Sequence, residues 1–307
     1  MPIAIEQLRY LVLASRDLDR AAAFASAELG LQPAWRNAGE AAFRSDARQY
    51  TLLYDGQAPR GSSSIGLQLG DVAALDAAAQ ALAARDIALQ PDPALAARRN
   101  VRALGRFTTP GGVAVELVVR PQDQGWRFFA ARDSGMTGLA GVALRSTDAV
   151  ADEALWCEVF GLRVADWIGD AAYLALDDGA HHRLSVHPSN AAGVLAAEFE
   201  VETLDHVMQQ SYRLAEAGIA LAHGPGRRPA SGQAFVSFEG PDGVHYSLVT
   251  GDERHDGAPR RPRQFAAGAA SHCAWGSACR IAEYLAESAA APAGTPARPA
   301  LKGVRSA

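Results

Sequence analysis

Short apolar runs with period-two alternation open four stretches of the chain: LRYLVLAS (8–15), SIGLQLGD (64–71), LAGVALRS (139–146) and AAEFEVET (196–203). Each leads into a longer segment with helical spacing: 17–30, 71–86, 147–161 and 203–218. Asp or Thr stands at the head of each segment, and Gly closes three of them, which supplies cap and stop signals. Short alternating runs such as AAYLALDD (171–178) and QAFVSFEG (233–240) follow, punctuated by Gly and Pro. The pattern predicts a βαβββ unit used four times. It is also doubled on a larger scale. SRDLDRAAAFASAELGL aligns residue 15 with residue 146, and PGGVAVELV aligns residue 110 with residue 241, both 131 positions apart. Two distant segments with one offset indicate a duplicated domain, and a duplicated unit folds the same way twice. The boundaries expected are a first domain over 1–120, a linker over 121–137, a second domain over 138–252 and an extension over 253–307. In that extension, 276–291 reads as a helix and 291–307 as a low-complexity, disordered tail.

Composition narrows the chemistry. At 307 residues, 49% hydrophobic and 21% charged, the chain is that of a soluble globular protein with room for two cores. No apolar run reaches the length of a membrane span, and the N-terminus has no signal-peptide pattern, so a cytoplasmic location is expected. A net charge of −5 with interspersed signs leaves no basic face for nucleic acid. The only lysine is Lys302, which removes Schiff-base chemistry and a P-loop. Cys157, Cys273 and Cys279 form no disulfide framework. HCAWGSAC (272–279) fits no common zinc spacing and reads as a helical segment carrying two thiols. Nothing in the pattern excludes a homo-oligomer.

Four βαβββ modules in two halves resemble the vicinal oxygen chelate superfamily, and within it the type I extradiol dioxygenases of the biphenyl-2,3-diol kind. The resemblance covers about residues 5–252, and GPGRRPASGQAFVSFEGPDGVHYSLVTG (224–251) is its most specific part. It implies an α+β fold of two open barrels, the second holding Fe(II) or Mn(II) on two histidines and a glutamate. Carried over residue by residue, those ligand positions are Gly141, Ala196 and Ser247. Two lack a donor atom and the third is a poor ligand, so no metal and no other cofactor is expected. The resemblance also places Arg228 where the family has a proton-transfer histidine, and Ser237 where it has a tyrosine. HHRLSV (181–186) matches the family's His-His stretch, whose second imidazole faces dioxygen and substrate; that is His182. The first half offers no replacement site. All eight histidines lie at or beyond 181, and the offset maps Gly141, Ala196 and Ser247 to Tyr10, Ile65 and Glu116. Glu116 therefore reads as a structural contact or a local ion pair.

Strand alternation gives the inward candidates of the second cup. Ser247 shares a face with His245, Ala196 with Glu198, and Ser237 with Phe235. The centre of the cup should be small and uncharged, with space left by the missing ligands. Adjacent His181 and His182, placed on a strand, should point to opposite faces. His182, Arg228 and His245 are the catalytic candidates; His181, Glu198, Ser237 and Ser247 are the substrate-binding ones. For His182 the alternative is a packed leftover, and for Arg228 an exposed loop arginine. The readings that follow are a metal-independent enzyme acting on an aromatic or enolic small molecule, a sequestering protein like the bleomycin-resistance relatives, or a metal-dependent dioxygenase with its ligands elsewhere. The retained His-His pair and Arg228 favour the enzyme.

Overall fold

The structure, a computed structural model, describes residues 2–254 and 261–285. The first half runs β1 (Ile5–Ala14), α1 (Leu18–Ala27), β2 (Gln32–Arg36), β3 (Glu40–Arg44) and β4 (Leu52–Asp55). It continues with β5 (Ser63–Leu69), α2 (Val72–Ala83), β6 (Gln90–Pro91), α3 (Pro93–Arg99), β7 (Ala103–Thr108) and β8 (Ala114–Val119). The second half runs β9 (Met136–Ser146), α4 (Ala149–Glu158), β10 (Arg163–Ile168), β11 (Ala171–Ala175) and β12 (Leu184–Pro188). Then come β13 (Gly193–Val201), α5 (Leu204–Glu216), β14 (Leu221–Arg227), β15 (Ala234–Glu239) and β16 (His245–Thr250). Beyond the repeat lie β17 (Arg263–Phe265), a 3₁₀ turn at Ala269–Ser271 and a short α6 (Ala282–Leu285).

The helices begin where the sequence signals them. Asp17, Asp71, Asp148 and Thr203 each accept a hydrogen bond from the backbone N–H three residues on. Gly30, Gly161 and Gly218 then take left-handed φ just past α1, α4 and α5, which stops them. Helix α3 was not foreseen. Asp92 caps it, Pro93 occupies its first turn and left-handed Asn100 ends it.

Both halves have one topology. β1 pairs parallel with β4 and antiparallel with β5, and β5 pairs parallel with β8. In the same way β9 pairs with β12 and β13, and β13 with β16. The sheet orders are β2-β3-β4-β1-β5-β8-β7-β6 and β14-β15-β16-β13-β9-β12-β11-β10-β17. One face of each sheet joins a single core through both halves, including Leu11, Leu67, Trp156, Phe199 and Tyr246. Across it Tyr54 Oη meets Tyr246 Oη at 2.9 Å, and the Gly111 N–H donates to Asp152 at 2.7 Å. The other face of each sheet is curled. Ala42 on β3 and Val118 on β8, with three strands between them in the sheet order, meet in one cluster.

The extension departs from expectation. Residues 272–279 are irregular rather than helical, and 276–281 precede the single α-helical turn among the described residues of the extension, Ala282–Leu285. The remainder of the expected helix, with the tail, lies outside the described residues. β17 adds to the sheet edge beside β10, and Ile281 and Tyr284 pack with Ala143, Ala196 and Ala222 inside the second cup. The extension thus closes that cup.

Candidate active site

Strand register brings the predicted positions together. Glu198 lies opposite both Gly141 on β9 and Ser247 on β16, and Ala196 lies opposite Ala143 and His245. Ser237 faces Ser247 across β15 and β16, with their hydroxyls 2.7 Å apart. The centre is not the small, uncharged space anticipated. A side chain on Gly141 would come within 3.3 Å of Glu198 Oε2, because the longer Glu198 side chain has moved into the ligand position. Glu198 Oε1 accepts a 2.5 Å bond from Arg228, whose other arm donates to Gln233. The reading of Arg228 as a loop arginine in solvent is overturned, since its side chain is only 11% exposed. Burial opposes the Glu198 charge, yet Arg228 holds its carboxyl far below the usual range.

A metal does not fit these residues. Gly141 and Ala196 have no donor, the Ser247 hydroxyl is spent on Ser237, and Glu198 is committed to Arg228. Among the described residues no set of three or more His, Cys, Asp or Glu is arranged to hold one.

The His-His pair differs from the alternation expected of it. Both residues precede β12 in a bend rather than lying on a strand, so both rings turn inward and their Nδ1 atoms are 3.0 Å apart. His181 Nε2 is 2.8 Å from Asp166 Oδ2, and Asp166 is further held by the Arg263 backbone N–H and guanidinium. Those contacts keep the Asp166 carboxyl ionised against its burial, well below the usual range. An ionised carboxylate only accepts, so the His181 proton sits on Nε2 and His181 Nδ1 is the acceptor. The His182 proton therefore sits on Nδ1. This leaves His182 Nε2 as the basic atom, 3.7 Å from Glu198 Oε2. The result is a continuous line: Arg263, Asp166, His181, His182, Glu198, Arg228. His181 sits behind His182 rather than in the cup, and burial lowers its pKa although Asp166 opposes this. His245 is outside the line. It is half-buried at the start of β16 beside Glu239, and burial lowers its pKa too.

Above this line sits an aromatic and imidazole layer that sequence reasoning missed. The Tyr173 ring packs edge-on to His182, with centroids 4.9 Å apart. His272 and Tyr284 stack at 4.4 Å, and His187 and His223 lie against the same tyrosine. Burial pushes His187 and His223 down to about 4 and His272 to about 2, so all three are neutral at pH 7. The layer is pinned by Arg145 to Glu283 at 2.5 Å, by the Arg280 N–H to Ala222 O at 2.7 Å, and by Arg263 to Asp166. One signal was available in the sequence: Asp166, an acid amid the apolar strand RVADWI, marks a buried and therefore partnered charge. His272 and Tyr284 lie beyond the repeat, and the segments that contain them, 272–279 and 276–291, carried no sign that they enter the cup.

The sequence profile of the Glyoxalase/Bleomycin resistance protein/Dioxygenase superfamily matches the chain twice, over residues 7–117 and 138–247. No curated protein matches it. Among solved structures, homoprotocatechuate 2,3-dioxygenase from Arthrobacter globiformis superposes with a TM-score of 0.82 at 17% identity, covering 94% of this chain and 93% of that one. The Mn(II)-bound glyoxalase from Novosphingobium aromaticivorans gives 0.80 at 21%, covering 93% and 95%. The 2,2',3-trihydroxybiphenyl 1,2-dioxygenase from Sphingomonas wittichii gives 0.76 at 19%, covering 90% and 100%. At these identities the likeness speaks for the fold.

Proposed function

Because the chain belongs to the Glyoxalase/Bleomycin resistance protein/Dioxygenase superfamily, we propose that it is an extradiol-dioxygenase-like enzyme that has exchanged metal chemistry for proton transfer. Its substrate is a small aromatic or enolic anion of the kind met in aromatic catabolism. The observation that carries this reading is the hydrogen-bonded line from Asp166 through His181 to His182, which leaves His182 Nε2 as a positioned base. Asp166 and His181 orient the imidazole, and His182 takes a proton from an acidic O–H or C–H of the substrate. Arg228, whose two arms are already bonded to Glu198 and Gln233, balances the anion that forms by its charge rather than through a free fork. Returning the proton to a different atom completes a tautomerisation, which needs no oxidant; decarboxylation or hydrolysis would use the same base and cradle. Tyr284 and His272 keep water from the anion, which strengthens its interaction with Arg228. The segment carrying them must open for substrate to enter.

Turnover of a panel of aromatic and enolic carboxylates, followed with and without a strong chelator, tests the reading. Activity should persist in chelator, and His182→Ala should lower kcat by roughly 10²–10⁴-fold, the usual range for a lost general base. Activity lost to chelator and restored by Fe(II) would overturn it. A second reading, sequestration without turnover, is favoured by one feature: the cup centre is closed, with Ser237 and Ser247 both 1% exposed. Tight binding with no turnover, and equal affinity in His182→Ala, would establish that alternative.

A further inference from the structure

The first cup is built differently and remains open. It contains a cavity of about 400 Å³, within the range of roughly 300–1,000 Å³ common to small-molecule sites. Val12 and Leu95, which pack on the cup face of the sheet, supply its apolar lining, and Ser62, Ser63, Ser64 and Thr108 its hydroxyls. The opening has a structural cause. Residues 263–285 close the second cup, and the offset that duplicates the halves supplies no counterpart for them in the first.

We propose that this cavity is a second ligand site, for a small organic anion with an apolar body. The charges argue the sign. Glu116, at the position that Ser247 holds in the second half, accepts from Tyr10 Oη at 2.6 Å, Ser64 Oγ at 2.9 Å and Arg99 Nε at 3.1 Å. The expectation of a local ion pair there is met. Tyr10 reaches Glu116 only because its cross-strand partner is Gly66, where a Cβ would come within 2.5 Å of the tyrosine ring. With both oxygens occupied and no histidine in this half, Glu116 is neither a metal ligand nor a base. Arg99 is likewise consumed by Glu116 and Glu40. The lining charges that reach solvent are cationic: Arg98 and Arg106 are 56% and 52% exposed, whereas Asp55 is 14% exposed. Arg106 pairs with Asp92 near the surface, and Arg98 shares the buried Glu40 with Arg99 and reaches Asp55 at 3.8 Å, so both arginines can turn to a competing carboxylate without leaving Glu40 unpaired. An anion held by these two arginines lays its apolar body against Val12 and Leu95. With no base beside it, the site binds and does not catalyse.

Calorimetric titration of the full chain with benzoate, and with neutral benzamide, tests the proposal. Benzoate should bind saturably and at least tenfold more tightly than benzamide. Arg98→Gln/Arg106→Gln should remove that margin, and being exposed these changes leave the fold intact. Ala114→Phe, which fills the mouth, should abolish binding, while His182→Ala should leave it unchanged. No saturable binding, a margin that survives loss of both arginines, or binding lost in His182→Ala but kept in Ala114→Phe would overturn the proposal. The last result would move the ligand to the second cup, so this test stands apart from the enzymatic reading.

Discussion

The two cups descend from one unit, and both carry a buried arginine–glutamate pair, but they place it on different strands. In the first the carboxylate is Glu116 on β8, with Arg99 from α3. In the second it is Glu198 on β13, with Arg228 just past β14. The first cup pairs one arginine with two acids and leaves a cavity beside them. The second links its pair to two imidazoles and is covered by the extension. A barrel of this topology thus tolerates an internal ion pair at its centre in either arrangement. What separates a binding cavity from a candidate catalytic line is the supply of histidines and of a cover. The cover comes from outside the repeated pattern, whereas the histidines of the line lie inside the second repeat.

Removing the arginines should expose this difference most strongly. Breaking a buried pair by deleting one partner costs about 3–5 kcal/mol, because a charge is left uncompensated. Arg99→Met strands Glu116 and leaves Glu40 to Arg98 alone, and should lie at the top of that range in urea unfolding. Arg228→Met strands only Glu198 and should cost less. Arg228→Met/Glu198→Leu should recover most of the loss. Equal losses for the two single variants would mean that the second carboxylate, Glu40, adds nothing.

Between pH 7 and pH 4 the imidazole response to acid should come from the second half. His187 and His223 have folded pKa values lowered to about 4, against about 6.5 when unfolded. Between those values the unfolded chain binds protons that the folded chain excludes, so stability falls as pH drops through that window. For His187, which is 1% exposed, the loss is about 3 kcal/mol once pH 4 is reached. Unfolding measured from pH 7 to pH 4 should show this slope, and His187→Phe should reduce it by one proton. The first half, without histidine, does not contribute to it. An unchanged slope in the variant would separate His187 from the acid response.

The smallest effect concerns the serines. Ser247→Ala leaves the Ser237 hydroxyl buried without its partner and should cost about 1–2 kcal/mol. Ser237→Ala/Ser247→Ala should cost less than either single change. A double variant worse than both would indicate that the hydroxyls hold something besides each other.

Much of the architecture was legible in the chain itself. The 131-residue offset, the Asp and Thr caps and the period-two runs give four modules and their pairing, because each rests on contacts local in sequence or on repetition. Placement of Glu198, Ser237 and Ser247 around one cup followed from the same alternation, and that of His182 from the family resemblance. The site's electrostatics did not follow. Alternation states that Glu198 faces inward, but not that it fills the space beside Gly141 or meets an arginine thirty residues on. His181 and His182 were assigned to a strand, and the bend that turns both rings inward depends on Asp166 and Arg263 being brought beside them. Helix α3, which supplies Arg99, could have been found from Asp92 and Pro93, whereas the cover at 263–285 could not. Residue type and spacing determine which face a side chain occupies. Only tertiary packing decides whether that face meets water, a cavity or a charge, and with it what the residue can do.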